Sequence, residues 1–182
     1  RAADLGLPII NHCQEPSLTR DAQMNEGELS SRLGLTGWPA EAEALMVARD
    51  IELSRKTGAR LHLAHISTAS AVQMVTEAKA RNIKVTAEAT PHHLTLTDAW
   101  VLGRHGEVEG PIGSAGYAYD TSTKVNPPLR SEADRAAVAA ALADGTIDII
   151  ATDHAPHTLQ EKNNTYFNAP SGGPLVQHAL LA

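Results

Sequence analysis

The sequence predicts an α/β fold in which parallel strands, each followed by a helix, close into a barrel. Short apolar runs alternate with helical patterns at spacings wide enough for crossovers, as in a parallel sheet covered by helices. Polar residues able to bind a metal follow all four apolar runs, and barrel folds gather reactive groups at the C-terminal ends of their strands. No glycine-rich phosphate turn is present, which counts against a doubly wound nucleotide-binding sheet.

The first run, Pro8 to Asn11, ends at His12, and a polar loop punctuated by Gly27, Gly34, Gly37 and Pro39 follows. Residues Ala40 to Thr57 have helical spacing, with Ala44, Val47, Ala48 and Ile51 on one face and Gly58 as the stop. Arg60 to Ala64 form a second strand leading to His65, and Ser67 or Thr68 is placed to cap a helix that buries Ala71, Val72, Val75 and Ala78 and ends near Asn82. Ile83 to Ala87 read as the third strand, running into Glu88 and the Pro91-His92-His93 turn.

Gly103 to Ser122 carry many glycines and no periodicity, the pattern of a long lid or binding loop. Lys124-Val125-Asn126-Pro127-Pro128 is irregular because of its prolines. Ser131 with Asp134 resembles a capping box that opens an Ala-rich helix stopping at Gly145. Ile147 to Ala151 then read as a buried fourth strand, followed by Thr152-Asp153-His154-Ala155-Pro156-His157. Arg1 to Leu5 look like the last turn of a helix stopped by Gly6, and Leu175 to Ala182 look helical with no stop signal. The expectation is a segment of a longer fold.

Composition narrows the function. The 182 residues are 42% hydrophobic and carry a formal charge of -6, with no Lys/Arg cluster, which argues against a nucleic-acid or membrane surface as partner. The single cysteine, Cys13, excludes an internal disulfide and fits a reducing compartment. Apolar runs fall short of the roughly 18 residues a membrane span needs, and a signal-peptide pattern is lacking. A cytoplasmic location is expected.

A histidine at a strand end is ordinarily a hydrogen-bonded structural residue. Here His12, His65 and Asp153 each close a separate strand, and a barrel brings such ends onto one rim. Two imidazoles and a carboxylate suit zinc or a similar divalent ion. Such an ion lowers the pKa of its water to about 7, and a carboxylate beside it can accept the proton and pass it to a leaving nitrogen. Asp153 is the candidate for that task, although aspartate at this position is also a common helix cap.

His157 is placed to reach a substrate anion or to cap the segment after it, and His154 reads as structural. His62 reads as a core residue or one supporting the ligands, and Glu88, His92 and His93 as structural. Asn126 offers a donor and an acceptor on a rigid loop, as a ring amide requires. Arg130 reads as a surface charge and Cys13 as a small buried residue.

In these stretches the chain resembles dihydroorotase, a cyclic-amide hydrolase of the amidohydrolase superfamily. The matching segments, in order, are His12-Cys13-Gln14-Glu15, Met24-Asn25-Glu26-Gly27, His62 to Thr68, Glu88 to Leu94, Lys124 to Arg130, Asp144 to Asp148, and Thr152 to His157. The resemblance implies a TIM-type (β/α)8 barrel, with residues 1–182 as the C-terminal half of the catalytic domain, strands five to eight. It implies that His12 and His65 bind one zinc, that Asp153 binds another and shuttles the proton, and that Asn126 and His157 contact the substrate ring and its carboxylate. The implied reaction is reversible hydrolysis of dihydroorotate to carbamoyl aspartate in pyrimidine synthesis, with two Zn2+ in the complete enzyme.

The family's His-x-His-x-Arg and its bridging lysine or aspartate are absent from this chain, and Ala169 to His178 depart from the Gly-Leu-Glu that many members carry there. A hydantoinase or allantoinase is the nearest alternative. A non-catalytic scaffold for a transcarbamoylase is the alternative of a different class, and a homodimer or a transcarbamoylase complex is the expected assembly.

Overall fold

The computed structural model describes residues 1–103 and 118–178. Four parallel strands form its main sheet, in the order β1 (Pro8–His12), β4 (Arg60–Ala64), β5 (Val85–Ala89) and β6 (Ile149–Ile150). Their register pairs His12 with Ala64, Leu63 with Ala87, and Ala89 with Ile150, so the C-terminal ends lie along one margin. Two-residue strands β2 (Met24–Asn25) and β3 (Gly37–Trp38) pair separately.

Alternation explains the central strands. Leu61, Leu63, Val85 and Ala87 point to one face and are buried under α2 (Glu41–Thr57) and α3 (Ala69–Ala80), against Val47, Ala71, Val75 and Ala78. His62, Thr86 and Glu88 take the opposite face. The expected helix boundaries hold. Gly58 closes α2 at a φ of 70°, where only glycine is unstrained. Thr68 caps α3 and Ser131 caps α5 (Glu132–Ala143) with hydroxyls that accept from Ala71 N and Asp134 N. α5 continues the cover of this face toward β6 through Val138 and Ala141, which meet Ala89, Leu94 and Ile147.

Several expectations need correcting. The polar loop after His12 contains a short helix, α1 (Glu28–Leu33), bounded by Gly27 and Gly34. The buried stripe of α2 runs through Glu43, Val47, Asp50 and Ser54, and Ala48 is exposed. This stripe keeps helical spacing but is partly polar, so a hydrophobic count misplaces it. The third strand starts at Val85, two residues late, because Ile83 N closes the turn after α3 on Ala78 O.

The fourth strand is the largest departure. Ile147 is buried, but Ile149 and Ile150 are 47% and 46% exposed. β6 is an outer strand, and no further strand pairs with it among the described residues. Asp148 N and Ala151 N nevertheless bond to Ala87 O and Ala89 O, so its pairing with β5 runs over the predicted length.

Residues 104–117 of the expected long loop lie outside the described residues; its flanks form 3-10 turns at Asp98–Leu102 and Thr121–Thr123. Of the apolar C-terminal segment, Leu175–His178 form a 3-10 turn, and residues 179–182 lie outside the described residues. A helical α4 (Pro91–Thr95) follows β5, and α6 (Leu159–Lys162) follows the Asp153 to His157 segment. Among the described residues no helix is long and apolar enough to cross a membrane.

Candidate active site

The strand exits bring His12 and His65 together. His12 Nδ1 and His65 Nε2 lie 2.9 Å apart, with the rings edge to face. His65 sits at a φ of 35° and Asp153 at 47°, in the left-handed region that non-glycine residues enter at a cost of about 1–3 kcal/mol. Two of the three candidate ligands thus occupy turns that the surrounding structure must hold in place. For His65 that support comes from β5: its backbone N–H meets Glu88 Oε1 at 3.3 Å, and Ile66 N donates to Glu88 O at 2.8 Å.

Glu88 Oε2 also lies 2.9 Å from His62 Nε2, while His62 Nδ1 meets Thr86 Oγ1 at 2.8 Å. His62 therefore supports the exit of its own strand from below, as the sequence suggests. Burial lowers the pKa of His65, the neighbouring His12 ring lowers it further, and the Asp153 carboxylate opposes the fall. No three His, Cys, Asp or Glu side chains form a ready-made metal cage among the described residues.

The donor set nevertheless fits a divalent ion. Two nitrogens bound tetrahedrally to one zinc at about 2.0–2.1 Å each stand about 3.3 Å apart, so the pair needs only a small opening from 2.9 Å to share an ion. His65 Nδ1 is buried with no hydrogen-bond partner.

Behind the pair, His93 is buried, and Thr90 Oγ1 lies 2.7 Å from its Nδ1. Its Nε2 donates to the carbonyls of Pro127 and Pro128 at 3.1 and 3.3 Å. Burial pulls its pKa down to about 3, so it stays neutral and locks the proline-rich segment onto β5. That segment presents Asn126, whose peptide bond to Pro127 is cis. Asn126 Nδ2 donates to Gln14 Oε1 at 3.3 Å, and Asn126 Oδ1 is buried without a partner.

His157 lies on the other flank and donates from Nε2 to Ser171 O at 2.9 Å. Gly172 next to it has a φ of 122°, and a Cβ there would stand 2.6 Å from Ala155 O, so only glycine allows the two loops to meet. His154 accepts from Val176 N at 3.2 Å, a structural role as expected, but with a distant backbone group.

Four supporting residues were not anticipated. Arg130 is buried rather than a surface charge: it donates to Ser67 Oγ, Asn25 Oδ1 and Trp38 O, joining the loops that follow β1 and β4. Buried Glu43 accepts from the backbone and hydroxyls of Ser67 and Thr68, just past His65. Lys124 donates to Gln23 Oε1, Tyr166 O and Phe167 O at 2.6–2.9 Å. Gln14 Oε1 lies 2.8 Å from His12 Nε2. Glu43 left a signal in its helical spacing with Val47, and Gln14, Lys124 and Arg130 lie in segments that resemble the family without any sign of their contacts.

Comparison with known proteins agrees with this picture. A family model described as dihydro-orotase-like matches residues 1–71. The chain is 55% identical over 171 residues to the dihydroorotase of Pelotomaculum thermopropionicum, covering 94% of the chain and 36% of that protein. It is 50% identical over 172 residues to the dihydroorotase of Leifsonia xyli, again covering 94% of the chain and 36% of the relative. The chain thus spans little more than a third of these relatives' length.

Among solved structures, dihydropyrimidinase from Brevibacillus agri superposes with a TM-score of 0.74 at 23% identity, covering 97% of the chain and 37% of that protein. D-Hydantoinase from Bacillus sp. AR9 gives 0.74 at 24% identity, covering 97% and 38%. These likenesses establish the fold, a parallel sheet covered by helices. About half of the chain's residues are shared with these dihydroorotases along nearly its whole length, and the dihydro-orotase-like match takes in its first 71 residues.

Proposed function

We propose that residues 1–182 are the C-terminal half of a catalytic barrel domain, with β1, β4, β5 and β6 as its strands five to eight. The complete protein hydrolyses the cyclic amide of dihydroorotate to carbamoyl aspartate, reversibly, in the cytoplasm. The observation that carries this reading is the 2.9 Å approach of His12 Nδ1 to His65 Nε2 at two adjacent strand exits, with Asp153 near enough to bias His65.

His12, His65 and Asp153 would hold zinc, two ions in the complete enzyme. The metal supplies Lewis acidity toward the ring carbonyl and acidifies water to a pKa of about 7. This chain's own groups do the rest. Asp153 accepts the proton from the attacking water and returns it to the leaving ring nitrogen. Asn126 holds the ring amide and His157 faces the substrate carboxylate, each fixed from behind by loop contacts that limit its motion. Homodimerisation or docking to a transcarbamoylase is consistent with this role.

The test is a substrate panel on the complete gene product. Turnover of dihydroorotate well above hydantoin and allantoin is expected, with zinc in the purified protein. Preference for hydantoin or allantoin would replace the substrate assignment, and a metal-free, inactive protein would favour a scaffold.

A further inference from the structure

We propose that Gln14 is a positioning residue that sets the polarity of the cleft. Its single Oε1 takes an N–H from both His12 and Asn126, so each turns an acceptor outward: His12 Nδ1 toward a divalent cation, and Asn126 Oδ1 toward an N–H of the substrate. The inference rests on the hydrolase reading only for what those two acceptors receive.

The hydrogen-bond chain fixes each direction in turn. Thr19 Oγ1 donates its only proton to Glu15 O at 3.3 Å. Its lone pair therefore receives Gln14 Nε2–H, at 2.8 Å. With Nε2 so committed, Gln14 Oε1 faces His12 Nε2 at 2.8 Å and Asn126 Nδ2 at 3.3 Å, and as an acceptor it requires N–H from both. A neutral His12 protonated on Nε2 keeps its lone pair on Nδ1, the atom that faces His65 Nε2.

Asn126 spends one of its two N–H donors on Gln14, and its Oδ1 is buried and has no partner. A buried unsatisfied carbonyl costs about 1–3 kcal/mol, a cost that a ligand N–H would remove. Oδ1 therefore calls for an N–H of the bound group, as an amide supplies, while the second Nδ2 proton can also meet a carbonyl. Thr19, itself buried, anchors the arrangement to the loop after β1.

Two variants of the complete gene product test this. Gln14→Met keeps the side-chain length and removes the acceptor, while Gln14→Glu keeps an acceptor for both N–H groups. Long-range 1H–15N NMR of histidine-labelled, metal-stripped protein should show His12 protonated on Nε2 in the parent and in Gln14→Glu, and a tautomer mixture in Gln14→Met. Zinc(II) affinity should weaken by about 10–100-fold in Gln14→Met, the usual effect of removing a group that orients a ligating histidine, and should be retained in Gln14→Glu.

An Nδ1-protonated His12 in the parent would overturn the proposal. So would unchanged tautomer and affinity in Gln14→Met, or a Gln14→Glu variant as impaired as Gln14→Met. The expected tautomer and affinity changes in a protein that turns over no cyclic amide would sustain Gln14's role and remove the hydrolase reading instead.

Discussion

β4 and β5 lie between neighbours and bury Leu61, Leu63, Val85 and Ala87 beneath α2 and α3, whereas β1 and β6 flank them and leave Ile10 and Ile150 exposed. The central strands carry the packing of the sheet. The outer strands contribute little to packing, yet His12 and Asp153 stand at their exits, and the only candidate ligand on a central strand is His65. On the proposed reading, stability and chemistry are divided between the middle and the margins of the sheet, and each should be open to perturbation with little effect on the other.

The largest expected effect is at the margin. Asp153→Asn in the complete enzyme should abolish turnover of dihydroorotate while the denaturation midpoint stays near that of the parent, because the residue follows a two-residue outer strand and packs little. Near-parental activity would defeat the proton-transfer role. A large fall in the midpoint would show that this exit also holds the fold together.

Cys13 marks where an outer strand enters the interior. It follows β1 directly but is buried, and burial, reinforced by the nearby Asp50 carboxylate, pushes its thiol from the usual 9.0 up to about 12. The thiolate is the reactive form, and a shift of three pH units lowers its population by about a thousandfold. A thiol reagent at pH 8 should leave Cys13 unmodified in the native protein and label it fully in denaturant. Rapid labelling of the native protein would place Cys13 with the exposed part of β1.

The packing half of the comparison is a paired measurement. Leu63→Ala removes a fully buried side chain from the middle of the sheet and should cost about 2–5 kcal/mol in denaturant titration. Ile10→Ala, on a residue 69% exposed, should stay within about 0.5 kcal/mol in residues 1–182 and cost more in the complete protein, where the proposed barrel flanks β1 on its other side. Equal costs for Ile10→Ala in the two proteins would mean that β1 stays an outer strand, against the barrel reading.

That contrast also explains what the sequence could and could not reveal. Apolar runs and strand-end histidines located β1, β4 and β5, because alternation and exit residues are local properties. The buried reading of Ile149 and Ile150 failed because an apolar run does not say how many neighbours a strand has. Ser131 and Thr68 were legible as caps, since a cap bonds within its own turn. Arg130 was not, because its partners Asn25 and Trp38 are about a hundred residues away and only the folded sheet brings them near. For the site, His12 and His65 could be expected to meet, whereas Gln14 as the bridge between His12 and Asn126 depends on a loop contact that no local pattern encodes.

The smallest effect concerns the loop beyond β6, where Lys162 donates to Thr121 O and Pro170 O without a carboxylate among these partners. Burial, with help from the Lys124 charge, lowers its pKa from the usual 10.5 to about 8. Between those values the unfolded chain holds a proton that the folded chain has released, so stability should rise with pH from about 8, and the cost of the buried charge is fully present below that. Cys13 has the opposite sign: its folded value is raised, so the folded state retains a proton that the unfolded thiol loses, and stability falls above 9.0. Cys13 and Lys124, whose pKa burial also lowers, contribute between pH 8 and 9, so Lys162 is read from the difference between the parent and a variant without its amine. Denaturation midpoints there should climb more steeply in the parent than in Lys162→Met. A parallel slope in both proteins would mean that this amine keeps its ordinary value, and that the loop at the outer strand is more open to water than its hydrogen bonds indicate.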